Sequence, residues 1–466
     1  MTPVHVGTID TVSAVPRRVC VVGAGYVGLT AAACLAHLGH RVRCVDSDPA
    51  RLGQLLEGQI PIHEPGLEDL VAAGVDQGRL EFLADLEQAL LDTEIALLCV
   101  GTPPQSSGEP DLSHLAAAAR QLSAAATKDL ILVVKSTVPP GTCEALELVC
   151  AEVVAPGVVV RVASSPEFLR ESRAIEDFLA PDRVVVGTEY LDVAETVASL
   201  YPAGSTVVHC DRRGAELVKY AANTFLAIKI SFANEVARLC EALGTDATTV
   251  LAGVGLDARI GTAFLRPGPG YGGSCLPKDV AGFRAVGQTL GTQTRLADAT
   301  EQENLHARLF VVSKLALVLG SLAGKQVAVL GLAFKAGTDD TRDSPGVHIA
   351  RQLIAAGADV RCFDPLASPA EAPGNWAHSA AAAVTGSDAV VVTTAAEEFK
   401  SLDPAVVAAA MRGTVLLDAA GVFDIAACSA VGLTVYGIGR GAPTDFHAIV
   451  WPPLRWAHPV ATAAAR

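Results

Sequence analysis

From Arg17 onward, short runs of β-branched and other apolar residues alternate with longer Ala- and Leu-rich stretches. That alternation is the pattern of βαβ units and a parallel sheet. It predicts strands at Arg18 to Val22, Arg41 to Asp46, Ile95 to Val100, Leu130 to Lys135, Val158 to Ala163 and Arg183 to Gly187, making one doubly wound domain that ends near Tyr201. Between Asp211 and about Leu322 the pattern turns to long helices, broken only by the Gly/Pro-rich segment Arg266 to Gly273. One predicted helix, Thr294 to Leu319, is roughly 39 Å long at about 1.5 Å per residue, enough to join two domains. Alternation then restarts with strands at Gln326 to Leu330, Asp359 to Phe363, Ala389 to Thr394 and Thr414 to Asp418. The two α/β halves share an architecture without a residue-level repeat.

Composition fits this picture. Of 466 residues, 50% are hydrophobic but only 5% aromatic, and mean hydropathy is +0.38. The apolar excess is Ala and Val, the residues of packed helices and buried strands. Apolar runs are strand-length and end at Gly or Pro, so none reaches the roughly 18 residues of a membrane span, and a soluble protein is expected. Residues 1–16 show no basic-then-apolar leader pattern and read as a loose extension; 451–466 read as a tail. The eleven cysteines lie mostly within apolar runs, which implies structural thiols in a reducing, cytoplasmic compartment. A net charge of −15 argues against nucleic-acid and anionic-membrane partners.

The strand Arg18 to Val22 runs directly into Gly23-Ala24-Gly25-Tyr26-Val27-Gly28 and then into a helix-forming stretch. In such a loop the first Gly makes the turn, the second admits a pyrophosphate, and the third lets helix and strand pack closely. Asp46 stands at the end of the next strand, 18 residues after Gly28, where a carboxylate accepts a ribose 2′-hydroxyl and repels a 2′-phosphate. NAD is therefore expected over NADP, with Arg51 as the one counter-signal. The expected fold class is α/β: a Rossmann-like NAD-binding domain over 17–205, a helical central domain over 206–322, and a second, smaller Rossmann-like domain over 323–450.

Candidate chemistry follows the same strand ends and helix starts. Cys275, in Gly272-Gly273-Ser274-Cys275-Leu276-Pro277-Lys278-Asp279, precedes a proline suited to a first helical turn. Helix starts and neighbouring cations lower a thiol pKa, so this cysteine is the predicted nucleophile. Lys219 and Asn223 lie four apart in an apolar helical run, where an uncompensated ammonium would be strongly unfavourable, so a polar site beside the helix is expected. Glu167 and Thr137 each follow a strand, where ligands bind in open parallel sheets. Asp339 to Pro345 reads as a helix start, Ser344 capping, Pro345 at the first position and Gly357 closing, and no metal site is expected.

Together these stretches resemble the UDP-glucose/GDP-mannose dehydrogenase family from about Arg17 to Arg440. The motifs are GAGYVGL at Gly23, VGTPP at Val100, KSTVPPGT at Lys135, SPEFLRE at Ser165, ELVKYAANTFLAIKISFANEV at Glu216, GYGGSCLPKD at Gly270 and GLAFKAGTDDTRDSP at Gly331. The resemblance implies a four-electron oxidation of a nucleotide-sugar alcohol to a carboxylate with NAD, a dimer-forming middle and a nucleotide-sugar domain last. It implies that Asp279 and Lys219 hold a water that takes the hydroxyl proton, and that Cys275 forms a thiohemiacetal and then a thioester. Lys219 and Asn223 would stabilise the oxyanion, Glu167 would act in hydrolysis, and Thr137 would order water. Sugar-nucleotide contacts would fall to Glu167, Phe168, Leu169, Lys219, Asn223, Arg259, Arg266, Tyr271, Gly272 and Lys335. Cofactor contacts would fall to the Gly23–Gly28 loop, Asp46, Arg51, Thr102, Pro103, Thr137, Glu171, Lys278 and Arg342. Asp257 to Gly261 looks more like the UDP-glucose than the GDP-mannose enzymes. Where the family carries D-x-R-N, this chain reads Asp418-Ala419-Ala420-Gly421, which leaves GDP-mannose or another nucleotide sugar as the alternative substrate. A second alternative, of another class, is a silent NAD-binding regulator.

Overall fold

The computed structural model describes residues 5–8, 16–105 and 108–440. The tail and most of the N-terminal extension lie outside these residues. The chain divides into two compact units, 1–228 with 272–301 and 333–343, and 229–271 with 302–332 and 344–466. The helical middle is thus apportioned between them: Leu276–Thr289 belongs to the first unit and Ala247–Gly255 to the second.

The first unit is built on a nine-stranded sheet. In chain order its strands are β1 (His5–Thr8), β2 (Arg18–Val22), β3 (Arg41–Val45), β4 (Leu80–Leu83), β5 (Ile95–Leu98), β6 (Leu130–Val134), β7 (Val160–Ser164), β8 (Val184–Gly187) and β9 (Thr206–Cys210). Their order across the sheet is β1-β9-β8-β7-β6-β5-β2-β3-β4. Pairing is parallel except at β7–β8 and β1–β9. Central strands such as β5 are buried at every residue, as expected with helices on both faces. The Tyr26–His37 helix buries nine consecutive residues from Gly28 to Ala36, and its alanines permit close helix–sheet approach. Strand order reverses between β2 and β5, the crevice where doubly wound sheets bind ligands.

The second unit carries β10 (Gln326–Leu330), β11 (Asp359–Phe363), β12 (Asn375–Trp376), β13 (Ala389–Val392), β14 (Val415–Asp418) and β15 (Thr434–Gly437). They form an all-parallel sheet in the order β12-β11-β10-β13-β14-β15. Ser344 caps the Pro345–Ala355 helix through Gly346 and Val347 N–H, as the sequence predicts.

All ten strands drawn from the sequence form, and five others were not anticipated. β1, β4, β12 and β15 are sheet edges, and β9 is next to an edge. β4, β12 and β15 are short and part-exposed, and such strands carry little hydrophobic signal. Two corrections follow. Four residues of the segment read as loose, His5–Thr8, pair antiparallel with β9, and the first α/β domain runs past Tyr201 to include β9, which pairs with β8.

The second unit also repeats the geometry of the first glycine loop. A Cβ on Gly28 would lie 1.8 Å from the Gly23 carbonyl oxygen, and one on Gly346 would lie 2.2 Å from that of Gly331. Asp46 accepts from the Ala24 N–H at 2.6 Å, and Asp364 accepts from the Leu332 N–H at 2.8 Å. The equivalence is hidden in the sequence because Gly23 and Gly28 are five residues apart and Gly331 and Gly346 fifteen.

The close approach at Gly28 makes the first loop testable. Gly28→Ala should destabilise the protein by about 2 kcal/mol or more, because backbone on the other side cannot yield. Gly25→Ala, whose Cβ would meet nothing within 4 Å, should be nearly neutral. Equal denaturation midpoints for the two variants would refute the packing argument.

Candidate active site

Lys219 and Asn223 stand one turn apart on the long Arg212–Leu243 helix, and both are buried. Lys219 Nζ donates to Glu167 Oε1 at 2.8 Å, with the two side chains 3% and 8% exposed. The other Glu167 oxygen accepts from the Leu169 N–H at 2.5 Å, a turn made just beyond the C-terminal end of β7. Burial opposes ionisation of both partners, yet each outweighs that effect for the other. Glu167 is held below the usual carboxylate range by Lys219, and Lys219 is raised by Glu167 and Asp279. The polar site inferred from a lysine in an apolar run is present.

A second pair lies beside the first. Asn223 Nδ2 donates to Asp279 Oδ2 at 2.5 Å, and Lys278 Nζ donates to Asp279 Oδ1 at 2.5 Å. Asp279 is fully buried in the first turn of the Leu276–Thr289 helix, its N–H bonded to the Cys275 carbonyl at 2.9 Å. That helix packs on Tyr220 through Gly282, where a Cβ would approach the Tyr220 ring to 2.5 Å.

Cys275 occupies the N-cap of this helix, and of the eleven thiols it is the one that is only part-buried. Gly273, two residues earlier, has φ +86° and lies where a Cβ would meet the Phe334 ring at 2.8 Å. One expectation is overturned: the thiol pKa is raised, not lowered. Burial is the largest cause, Glu167 and Asp279 add to it, and Lys219 and the Ser274 hydroxyl only partly offset it. Lys278, the neighbouring cation expected to act on the sulfur, is bound to Asp279 instead.

Sequence reasoning did not single out Ser274, Glu64 or Thr338. Ser274 Oγ donates to Glu171 Oε1 at 3.0 Å and lies 3.5 Å from Cys275 Sγ. Glu171 also accepts from Thr338 Oγ1 at 3.3 Å, and its carbonyl accepts from Lys335 Nζ at 2.6 Å. Arg342 pairs with Asp340 at 2.7 Å and lies 4.0 Å from Glu171. Glu64, buried, binds the Tyr26 hydroxyl and the Ala174 N–H, and the same Tyr26 oxygen accepts from the Ser172 N–H at 2.9 Å. The glycine loop is thereby tied to the segment after Glu171. A glutamate buried among loop residues carried no periodic signal to reveal it.

At the loop itself, Gly23 follows β2, and the helix begun at Tyr26 and Val27 has no side-chain cap, leaving its first N–H groups for an anion. The Asp46 carboxylate is held below its usual range: burial opposes this, but the Asp48 and Ala24 N–H groups and Arg51 prevail. Arg51 bonds Asp46 at 3.0 Å and lies 3.8 Å from Asp48, so its charge is already engaged. Thr102 Oγ1 donates to the Thr137 carbonyl at 3.0 Å, joining the loops after β5 and β6, and the Pro103 carbonyl accepts from Asp111 N–H at 2.8 Å. These residues fit a dinucleotide. Thr137 is half-buried, and its carbonyl is the acceptor of the Thr102 bond. Phe168 lies under the Arg183 guanidinium at 3.7 Å, with Lys219 Nζ 5.5 Å from its ring.

Other expected contacts belong to the second unit. Arg259 is 89% exposed and pairs with Asp257, whereas Tyr271 is buried, its backbone held by Asn304. A pocket of about 300 Å³ is lined by Leu265, Arg266, Asp418, Gly421 and Arg440 among others. Asp418 accepts from four successive N–H groups, Ala420 to Phe423, so its charge is taken up by the loop. The Arg266 guanidinium donates to the Ala420 carbonyl at 2.9 Å, and a Cβ on Gly421 would lie 3.2 Å from Arg266 and 3.4 Å from Arg440. Two guanidiniums therefore stand where the sequence lacks the expected arginine.

Comparison with known proteins agrees with this geometry. Residues 17–204 match the NAD binding domain of the UDP-glucose/GDP-mannose dehydrogenase family, 213–306 its central domain and 328–425 its UDP binding domain. The chain is 41% identical to a UDP-glucose 6-dehydrogenase of Pseudomonas aeruginosa over 91% of its length and 97% of the relative's. It is likewise 41% identical to one of Rhizobium meliloti, covering 91% and 99%. Among solved structures, a UDP-glucose dehydrogenase of Pyrobaculum islandicum superposes with a TM-score of 0.86 at 38% identity, covering 92% of this chain and 99% of that one. A UDP-D-ManNAc dehydrogenase of Pyrococcus horikoshii gives 0.83 at 28%, covering 91% and 100%. With a glycine loop, a paired buried lysine and a helix-capping cysteine all in matched regions, the chain belongs to the UDP-glucose/GDP-mannose dehydrogenase family.

Proposed function

We propose that this chain oxidises UDP-glucose to UDP-glucuronate with NAD, through intermediates covalently bound to Cys275. The observation that carries the reading is the convergence of Lys219–Glu167 and Asn223–Asp279 beside Cys275. It agrees with relatives 41% identical that are named for UDP-glucose.

The Gly23–Gly28 loop and Asp46 would hold NAD, which supplies the hydride acceptor for both oxidations. Asp279 and Lys219 hold the water that takes the proton of the sugar 6-hydroxyl. Cys275 Sγ adds to the resulting aldehyde to give a thiohemiacetal, whose oxyanion meets the Lys219 ammonium and the Asn223 amide. Further oxidation leaves a thioester on Cys275. Glu167, kept ionised by Lys219, serves as base toward the hydrolytic water, ordered near Thr137, and the carboxylate product leaves as the thiol re-forms. In the second unit, Arg266 and Arg440 supply cationic contacts for a nucleotide diphosphate. The functional segments we assign are 17–210 for NAD, 211–322 for association and 323–450 for the nucleotide sugar.

Association is assigned to the Arg212–Leu243 helix. Phe225, Phe232 and Leu239 recur every seven residues, two turns apart on one face, and are 61%, 47% and 60% exposed. A second copy of the chain covers this stripe in our reading, making a homodimer. Among the described residues no helix is long and apolar enough to cross a membrane. Ten of the eleven thiols are buried core residues, in keeping with a cytoplasmic setting.

Three outcomes are expected. With UDP-glucose the protein should form two NADH per sugar, and Cys275→Ser should lose turnover by several orders of magnitude while still binding both ligands, with a stable adduct at the serine visible in the intact mass. One NADH per sugar, activity confined to another nucleotide sugar, or near-normal turnover of Cys275→Ser would each refute the reading. NAD should exceed NADP by at least roughly tenfold in kcat/KM, about 1.4 kcal/mol, because Asp46 is anionic and Arg51 is already paired; equal use of both would contradict that role for Asp46. Sedimentation should give a dimer that Phe225→Glu/Phe232→Glu converts to monomer, and a wild-type monomer would remove the association assignment.

A further inference from the structure

The reaction proposed above leaves one proton without a destination, and this inference rests on that reading. At neutral pH Cys275 is a thiol, since burial and two nearby carboxylates disfavour the thiolate. It must lose its proton as it attacks the aldehyde. Three charged groups of the cluster are poorly placed to take it. Lys219 is a protonated donor to Glu167. Glu167 has one oxygen on Lys219 and the other on the Leu169 N–H. Asp279 has one on Asn223 and the other on Lys278.

Among the described residues, the hydrogen bond that Cys275 Sγ makes is to Ser274 Oγ, at 3.5 Å. A hydroxyl has one proton to give. Ser274 gives it to Glu171 Oε1 at 3.0 Å. The direction of the other bond is then fixed: Sγ–H donates to Ser274 Oγ. Thiol, hydroxyl and carboxylate form a chain in which every proton points from sulfur toward Glu171.

We infer that Ser274 and Glu171 form a proton relay that deprotonates Cys275 as it captures the aldehyde. The Sγ proton passes to Ser274 Oγ while the Ser274 proton passes to Glu171. The sulfur electron pair forms the S–C6 bond, and the carbonyl π pair moves onto oxygen, facing Lys219 and Asn223. Nothing is oxidised or reduced in this step. When the thioester is hydrolysed, the C–S bond breaks with its pair on sulfur, and the proton returns from Glu171 through Ser274. Glu171 is in surroundings that suit a proton acceptor. Burial and the like charge of Asp340 raise its carboxyl above the usual range, and the Ser274 hydrogen bond, Arg342 and Lys335 only partly offset them.

The role predicts a defect confined to the second half of the reaction. In single turnovers from UDP-glucose with NAD, Ser274→Ala should release the first NADH at a rate within about threefold of wild type. The second should slow by about 100-fold, within the range of general base catalysis. The 6-aldehyde should accumulate and be trapped by a hydroxylamine reagent, whereas none should be trapped in the wild type. Glu171→Gln should show the same slow second phase and the same trapped aldehyde. An unchanged second phase in either variant, or equal slowing of both phases in Ser274→Ala, would overturn the relay. A wild type that makes no second NADH would instead remove the reaction on which the relay rests.

Discussion

The buried ion pair between Lys219 and Glu167 is the constraint around which the first unit is arranged. Removing either partner from such a pair costs about 3–5 kcal/mol, because the survivor is left charged in a low-dielectric interior. The chain therefore has to deliver both together. Glu167 comes from the C-terminal end of β7, bent so that the Leu169 N–H caps its second oxygen. Lys219 comes from the Arg212–Leu243 helix, and one turn on, the same helix delivers Asn223 to Asp279. A strand end and two helices are fixed by four polar side chains that cannot be replaced singly.

That arrangement decides the chemistry of the cysteine. A helix start and nearby lysines would ordinarily favour a thiolate. Here the lysines are neutralised by their own carboxylates, and those carboxylates face the sulfur. The result is a sulfur held as a thiol rather than a thiolate. That state protects the one thiol that is only part-buried from adventitious oxidation, since susceptibility follows thiolate character.

Much of this was legible in the sequence, for identifiable reasons. Interior strands announce themselves because both faces are buried, and Gly23–Gly28 with Asp46 is local. The polar site around Lys219 followed from the cost of an ammonium in an apolar run, an argument that needs no structure. Family likeness, carried by the motifs, supplied the roles proposed for Glu167 and Asp279. What could not be read depended on long-range placement. Edge strands such as β4 and β15 have half their surface in solvent, and Glu64 meets Tyr26 across 38 residues. The sign of the Cys275 shift depends on which carboxylates Lys219 and Lys278 choose, and spacing along a helix does not reveal that choice.

The second unit shows the same logic applied to a different ligand. Its glycine approach at Gly331 and Gly346, with Asp364 bonded to the Leu332 N–H, reproduces the scaffold of the first loop at three times the spacing. Function separates the two at the strand ends rather than in the scaffold. In the first unit, burial opposes ionisation of Asp46, but the Asp48 and Ala24 N–H groups and Arg51 hold it below the usual carboxylate range. In the second, Asp418 gives all its acceptor capacity to the backbone from Ala420 to Phe423, which folds that loop so that Gly421, at φ +69°, clears space for the Arg266 and Arg440 guanidiniums. A side chain at Gly421 would be strained there and crowd both. The absence of an arginine at Ala420 is thus matched by two cations from other segments, Arg266 and Arg440.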